Sequence, residues 1–280
     1  MSEAVGRTRR NPFLARLRAG EPALQLGIRS GRTADVVRVA AASGHHSVLL
    51  DLEHSTMPLD VAGALCATAS DLGLTPFVRI PEGDHGCIGR LLDTGAHGIV
   101  APRVETVAQA GQVSGACRFP PAGARSQLAM VPLTGLRPMP AGELNPLLDD
   151  ATIVQILLET PRGIGNADAI AALDGVDMLA IGANDLTAEL GIPGQFGHPA
   201  VREAVAEAGA ACARHGKLLM VGGIADRALL ASFAPLGVSP LWLTGFDTEL
   251  LYSAAAARAA AHLGARPSAR SGTRSEGTSP

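Results

Sequence analysis

The sequence predicts an α/β protein, a closed (β/α)8 TIM barrel with one extra helix ahead of the first strand. Three observations predict it. Short apolar runs alternate with amphipathic helical stretches along nearly the whole chain, which implies parallel strands joined by right-handed crossovers. Eight such units in about 240 residues suit a closed barrel better than the alternative, a doubly wound open sheet. Charged residues recur where the strand runs end, and a barrel gathers its reactive groups there.

Residues 1–10 read as a flexible arm, and Asn11 with Pro12 opens a helix over 11–19. The first strand is 23–28, the helix over 33–42 stops at Gly44, and the run Ser47-Val48-Leu49-Leu50-Asp51-Leu52-Glu53-His54 carries the second strand. A helix over 58–70 leads to the third strand, 75–80, which ends in Arg79; Asp84 is expected to cap a helix reaching Asp93. The fourth strand is 97–101 and the next helix 104–116. The connection over 118–150 is rich in proline and glycine, with one weak helical piece at 143–148. A connection so long in a compact domain is usually functional, so it is expected to serve as a lid or an interface. The alternation resumes with a strand at 152–159, a helix at 161–173 and a strand at 178–182. Helix 199–215, strand 217–221, helix 224–236, strand 240–244 and helix 247–263 complete it. Residues 264–280, rich in Ser, Gly, Arg and Pro, read as a disordered tail, so the barrel domain spans 11–263.

Composition narrows the function. With 280 residues, 47% hydrophobic content, 3% aromatics and a net charge of -3, the chain can bury a large core but offers neither a basic surface nor base-stacking platforms. No nucleic-acid partner is expected. Cys66, Cys87, Cys117 and Cys212 form no C-x-x-C pair and read as small buried hydrophobes in a reducing cytoplasm. No run approaches the ~18 apolar residues of a membrane span, and Arg7, Arg9 and Arg10 precede no signal-like apolar segment, so a soluble cytoplasmic protein is expected.

The polar strand ends carry the chemistry. Asp51, Glu53 and His54 follow the second strand, Arg79 ends the third, Glu159 the fifth, and Asp185 stands just after the sixth. Each has a plainer reading: Asp185 as a helix N-cap, Arg79 as a structural bridge, His54 as a loop histidine. Glu159 resists one, because a carboxylate completing the run Ile153-Val154-Gln155-Ile156-Leu157-Leu158 is costly unless paired or metal-bound. Paired carboxylates on neighbouring strands suit a hard divalent cation, Mg²⁺ or Mn²⁺, and a nearby arginine and histidine suit a reaction that builds up an oxyanion and moves a proton.

Six ordered motifs resemble one family. Asp51-Leu52-Glu53-His54, Val78-Arg79-Ile80-Pro81, Leu91-Leu92-Asp93-Thr94-Gly95, Phe119-Pro120-Pro121-Ala122-Gly123-Ala124-Arg125, Leu158-Glu159-Thr160 and Gly182-Ala183-Asn184-Asp185-Leu186 look like the signatures of metal-dependent class II pyruvate aldolases, the 4-hydroxy-2-oxoheptanedioate and 2-dehydro-3-deoxyglucarate aldolase family. The resemblance implies a hexamer with exchanged terminal helices that reversibly cleaves a 4-hydroxy-2-oxo acid into pyruvate and an aldehyde. It implies a divalent ion, Mg²⁺, Mn²⁺ or Co²⁺, held by Glu159 and Asp185. Arg79 would contact the enolate oxygen, the amides of Ala183, Asn184 and Asp185 would receive the substrate carboxylate, and His54 would transfer the proton. Asp51 and Asp93 would orient His54, with Asp93 reaching in from a neighbouring subunit.

The chain departs from that pattern at Leu157, Ser126 and Ala183, where glutamine, glycine and proline are usual. The tryptophan common after the first strand is also missing from Leu26-Gly27-Ile28-Arg29-Ser30, where Arg29 offers a cation to an acidic substrate end. Three other readings compete: an acyl-CoA lyase of the malyl or citramalyl-CoA type, which would want a basic patch; a dinucleotide enzyme using the weak glycine motif at Gly163-Ile164-Gly165; and a barrel with a dead site. Lys217, the one lysine in the chain, begins a strand, the wrong end of a barrel for a Schiff base.

Overall fold

The computed structural model describes residues 11–263; the expected arm over 1–10 and tail over 264–280 lie outside the described residues. Eight parallel strands form one sheet: β1 (Ala23–Ile28), β2 (Ser47–Asp51), β3 (Thr75–Arg79), β4 (Gly98–Ala101), β5 (Ile153–Leu158), β6 (Met178–Gly182), β7 (Leu218–Gly222) and β8 (Leu241–Phe246). Its order runs β7-β6-β5-β4-β3-β2-β1-β8, and a parallel bridge from Leu219 to Val238, just ahead of β8, brings the two edges together. The barrel is nearly closed, as the alternation predicts.

The helices are α1 (Pro12–Arg18), α2 (Ala34–Ala42), α3 (Leu59–Asp71), α4 (Ile88–Asp93), α5 (Val107–Cys117), α6 (Ala141–Ala151), α7 (Pro161–Gly165), α8 (Ala167–Ala171), α9 (Ala183–Glu189), α10 (Pro199–His215), α11 (Arg227–Ser232) and α12 (Asp247–Leu263). Several differ from expectation for local reasons. Asp84 makes no side-chain cap; a 3-10 turn over His85–Cys87 precedes α4 instead. The start of α5 moves to 107 because Thr106 and Gln109 close a capping box there. The segment expected as one helix over 161–173 breaks at Asn166 into α7 and α8. Asn11 caps α1 as its residue type predicts, accepting from the amides of Phe13 and Leu14.

Two cores follow from strand alternation. Outward residues such as Val48, Leu50, Val78, Ile156 and Ile181 pack under the helices. Inward residues Leu49, Phe77, Val100, Leu157 and Met220 fill the barrel, and α1 plugs its N-terminal end, with Phe13 edge-on to Phe77 at 5.3 Å between ring centres. Gly98 makes this layer possible, since a Cβ there would fall 2.2 Å from the Phe77 ring. All four cysteines are buried and unpaired, as expected.

The long connection corrects one expectation. It follows α5, whose C-terminal end lies at the start of the strands, so its 3-10 turn (Pro132–Thr134) and α6 pack at the N-terminal floor. There Phe119, Val131, Leu144, Leu147 and Leu148 make a small core of their own. Within one chain the segment is no lid over the C-terminal mouth.

Candidate active site

Inward alternation also delivers the polar residues. Asp51 and Arg79 are register partners at the ends of β2 and β3. The Asp51 side chain is fully buried. It accepts from Arg79 Nε at 2.9 Å and Nη2 at 2.6 Å, from Arg29 Nε at 2.6 Å and from the His54 amide at 3.2 Å. Burial alone would raise the Asp51 carboxyl, but the two guanidiniums and the amide hold it below the usual range. Arg79 Nη1 also reaches Glu53 Oε2 at 3.1 Å. Glu53 is pushed up by burial despite Arg79 and His54, with Asp51 and Asp185 adding repulsion.

Glu159 stands one residue past β5 and is buried. Its Oε2 accepts the Arg103 amide at 2.8 Å. Its Oε1 leans over Gly182 on β6, where a Cβ would lie only 2.4 Å away. Burial pushes Glu159 up to about 7, with Asp185 and Glu53 adding repulsion against the Arg103 amide and Arg79. Asp185 lies in the first turn of α9, which begins at Ala183 behind Gly182, so it is no N-cap. Among the described residues no three His, Cys, Asp or Glu side chains form a metal cage. The chain's own offer is therefore two carboxylates, one just past β5 and one in the first turn of α9 after β6. That donor set fits a hard divalent ion whose remaining positions go to substrate and water.

Other expected residues fall into place unevenly. His54 is 52% exposed, and its ring approaches Glu53 Oε2 at 3.7 Å. Asp51 fixes the His54 backbone rather than the ring, so Glu53, not Asp51, is the carboxylate beside the imidazole. Asp93 is not brought to the site within one chain. It ends α4, ahead of β4, and accepts from Arg125 Nη2 at 2.9 Å on the floor. Arg29 lines the mouth as expected of a substrate-facing cation, but Asp51 already holds its Nε. A cavity of about 150 Å³ joins Arg29, His54, Arg79, Glu159, Asn184 and Asp185.

Three residues escaped the sequence reading: Arg103, which holds Glu159 from behind, and Gln25 and Phe246, which line the cavity. Arg103 has φ +50°, a left-handed conformation for a non-glycine residue, and that turn aims its amide at Glu159. Its guanidinium bonds Glu189 of α9 at 3.0 Å. Gln25 lines the cavity and has a buried Nε2 with no hydrogen-bond partner among the described residues. Phe246 extends β8 past the expected end at 244.

Comparison with known proteins decides the family. The model for HpcH/HpaI aldolase/citrate lyase matches residues 29–254. The chain belongs to that family. The 4-hydroxy-4-methyl-2-oxoglutarate aldolase of Hapsidospora irregularis is 40% identical over 211 residues, 75% of this chain and 78% of the relative. The hydroxypyruvate/pyruvate aldolase of Pseudomonas aeruginosa is 36% identical over 86% of this chain and 88% of its own. Among solved structures, an HpcH/HpaI aldolase from Desulfitobacterium hafniense matches with TM-score 0.81 at 28% identity, covering 90% of this chain and 98% of that one. As a member of this aldolase family the chain is a carbon–carbon lyase. The dinucleotide reading loses its motif as well: Gly163 and Gly165 lie inside α7, which Thr160 caps through the Gly163 amide.

Proposed function

We propose that the protein reversibly cleaves 4-hydroxy-2-oxo acids into pyruvate and an aldehyde, with a divalent ion held by Glu159 and Asp185. One observation carries this reading: the carboxylates of Glu159, just past β5, and Asp185, in the first turn of α9 after β6, line one cavity with Arg79 and His54, in a chain of an aldolase family. When bound, the ion supplies a Lewis acid that draws charge from the keto oxygen and the neighbouring carboxylate. Mg²⁺, Mn²⁺ and Co²⁺ all suit two oxygen donors.

The residues of the chain supply the rest. First-turn amides at Ala183, Asn184 and Asp185 have no acceptor within their helix and receive the substrate carboxylate. His54 takes the proton of the 4-hydroxyl, the C3–C4 bond breaks, C4 leaves as the aldehyde carbonyl, and the bonding pair stays on the pyruvate enolate. Arg79, locked by Asp51 and Glu53, still has a second N–H on each Nη to steady that enolate oxygen. Protonation at C3 then yields pyruvate. Where Asp93 serves His54, it does so from another subunit. Self-association is further supported by α12, which has no buried residue and exposes Leu251 at 72% and Tyr252 at 75%. The sparse cysteines, all unpaired, suit a cytoplasmic protein, and no helix among the described residues is long and apolar enough to cross a membrane.

Exchange of pyruvate methyl protons with solvent deuterium tests the scheme without choosing an aldehyde. Exchange is expected with Mn²⁺ and lost with chelator. Glu159→Gln should weaken Mn²⁺ binding at least roughly 100-fold and abolish exchange. Full exchange under chelator would sink the proposed metal site. A wild type that binds Mn²⁺ yet exchanges nothing would favour the dead barrel.

A further inference from the structure

Arg29 is held in place by more contacts than a stray surface cation needs. Its backbone amide and those of Ser30 and Gly31 all donate to the carboxylate of Asp247, at 3.0, 3.0 and 2.6 Å, which pins the loop after β1 to the start of α12. Its Nε is fixed by the buried Asp51 carboxylate. Its guanidinium lies over the Phe246 ring, 3.6 Å from the centroid. Phe246 is itself placed deliberately. The register between β1 and β8 shifts between Gln25 and Gly27, so that Gly27 pairs with Phe246, and such a bulge re-aims the side chain that follows it. Gly27 has no Cβ, which would otherwise sit 2.4 Å from the ring.

These supports hold the fork by its Nε edge and one flat face. Among the described residues only Nε of the side chain donates to the protein, neither Nη has a protein acceptor, the side chain is 33% exposed, and Arg29 lines the cavity that also contains His54, Arg79 and Glu159. An arginine fork with a free Nη edge, immobilised in advance, is a carboxylate receptor. We propose that Arg29 binds the distal carboxylate of the substrate, so that the enzyme selects dicarboxylic 4-hydroxy-2-oxo acids, whose aldehyde-side product is itself an oxo acid. This rests on the aldolase reading above. Arg79 gives its Nε and one N–H of each Nη to Asp51 and Glu53 and has the remainder committed to the enolate oxygen, whereas among the described residues neither Nη of Arg29 has a protein acceptor.

The test compares cleavage of two substrates that differ only beyond C4: 4-hydroxy-2-oxoglutarate, with a carboxylate, and 4-hydroxy-2-oxopentanoate, with a methyl group. The wild type should favour the dicarboxylate in kcat/KM, and Arg29→Met should lower that ratio roughly 10- to 100-fold, the range of one charge-assisted hydrogen bond. Most of the change should fall on KM for the dicarboxylate. Arg29→Gln, which keeps a donor for Asp51 but loses the charge, should lower the ratio similarly. A wild type with no preference would overturn the inference without any variant. So would equal losses on both substrates, which would mean that Arg29 acts only through Asp51. A wild type that exchanges pyruvate protons but ignores the dicarboxylate sinks this inference alone; one that neither exchanges nor cleaves sinks the aldolase reading with it.

Discussion

The two ends of the barrel are built from the same residue types and leave them with different tasks. At the floor, Arg118 donates to the carbonyls of Asp149, Thr152 and Gly175 and to the carboxylate of Asp177, which also accepts the Val154 amide. Its donors are spent on tying chain segments together. At the mouth, Arg29 lines the cavity with neither Nη taken by a protein acceptor among the described residues, and Glu159 accepts one amide while Asp185 and Glu53 repel it. Cations saturated on backbone carbonyls are staples of the fold. Carboxylates that line one cavity, one of them raised by burial and by its neighbours, are the donor set of the proposed cation site.

Replacing one arginine at each end separates the tasks most sharply. Arg79→Met should lower the exchange rate about 10²- to 10³-fold, the cost of losing one preorganised oxyanion donor, while Arg29 still compensates the Asp51 charge and the fold persists. Arg118→Met should do the reverse. Removing the donor that three carbonyls and the partly buried Asp177 share should cost about 2–3 kcal/mol of stability in urea unfolding, with exchange and Mn²⁺ affinity retained wherever the variant is folded. If Arg118→Met lost exchange while still folded, the division between floor and mouth would collapse.

A smaller effect tests the same division by pH. Burial lowers His97, at the floor ahead of β4, to about 4 from an ordinary 6.5, so between those values the unfolded chain holds the extra proton. Its contribution to stability is intact above 6.5 and lost as pH falls toward 4. Glu159 runs the other way. Raised by burial to about 7 from 4.5, it binds the extra proton in the folded state, so its contribution is intact below 4.5 and lost as pH rises to 7. Thermal unfolding with chelator at about pH 5 and about pH 7.5 should show His97→Asn flattening the acid side and Glu159→Gln flattening the neutral side. The same flattening from both variants would contradict the opposed signs.

Much of this was legible because strands advertise their two faces. The run ending in Glu159 announces both a strand and a misfit carboxylate, and the ends of β2, β3 and β6 repeat the signal. The Arg103 amide was not legible, since every non-proline residue carries the same donor and only the left-handed turn aims this one. The platform under Arg29 was hidden differently: it joins Arg29 to Phe246 and Asp247 across more than half the chain, through a bulge that no local pattern marks. The lid expectation failed on something the sequence did contain. A connection after a helix returns to the start of the next strand, and the parity of the elements alone places 118–150 at the floor.

The smallest effect probes the one residue that would have changed the chemistry altogether. Lys217, the only lysine in the chain, precedes β7 and donates to the carbonyls of Leu173 and Val176, at 3.2 and 2.6 Å. It is a floor staple, with no path to a substrate keto group at the mouth. Lys217→Met should cost about 1.5–2 kcal/mol, the low end for hydrogen bonds from a charged donor that is only part-buried, and leave cleavage intact. Borohydride added with pyruvate should likewise leave the wild type active, because an imine needs an amine beside the keto carbon. Irreversible inactivation of the wild type, spared in Lys217→Met, would instead place the reactive amine at the floor and overturn the assignment of chemistry to the mouth.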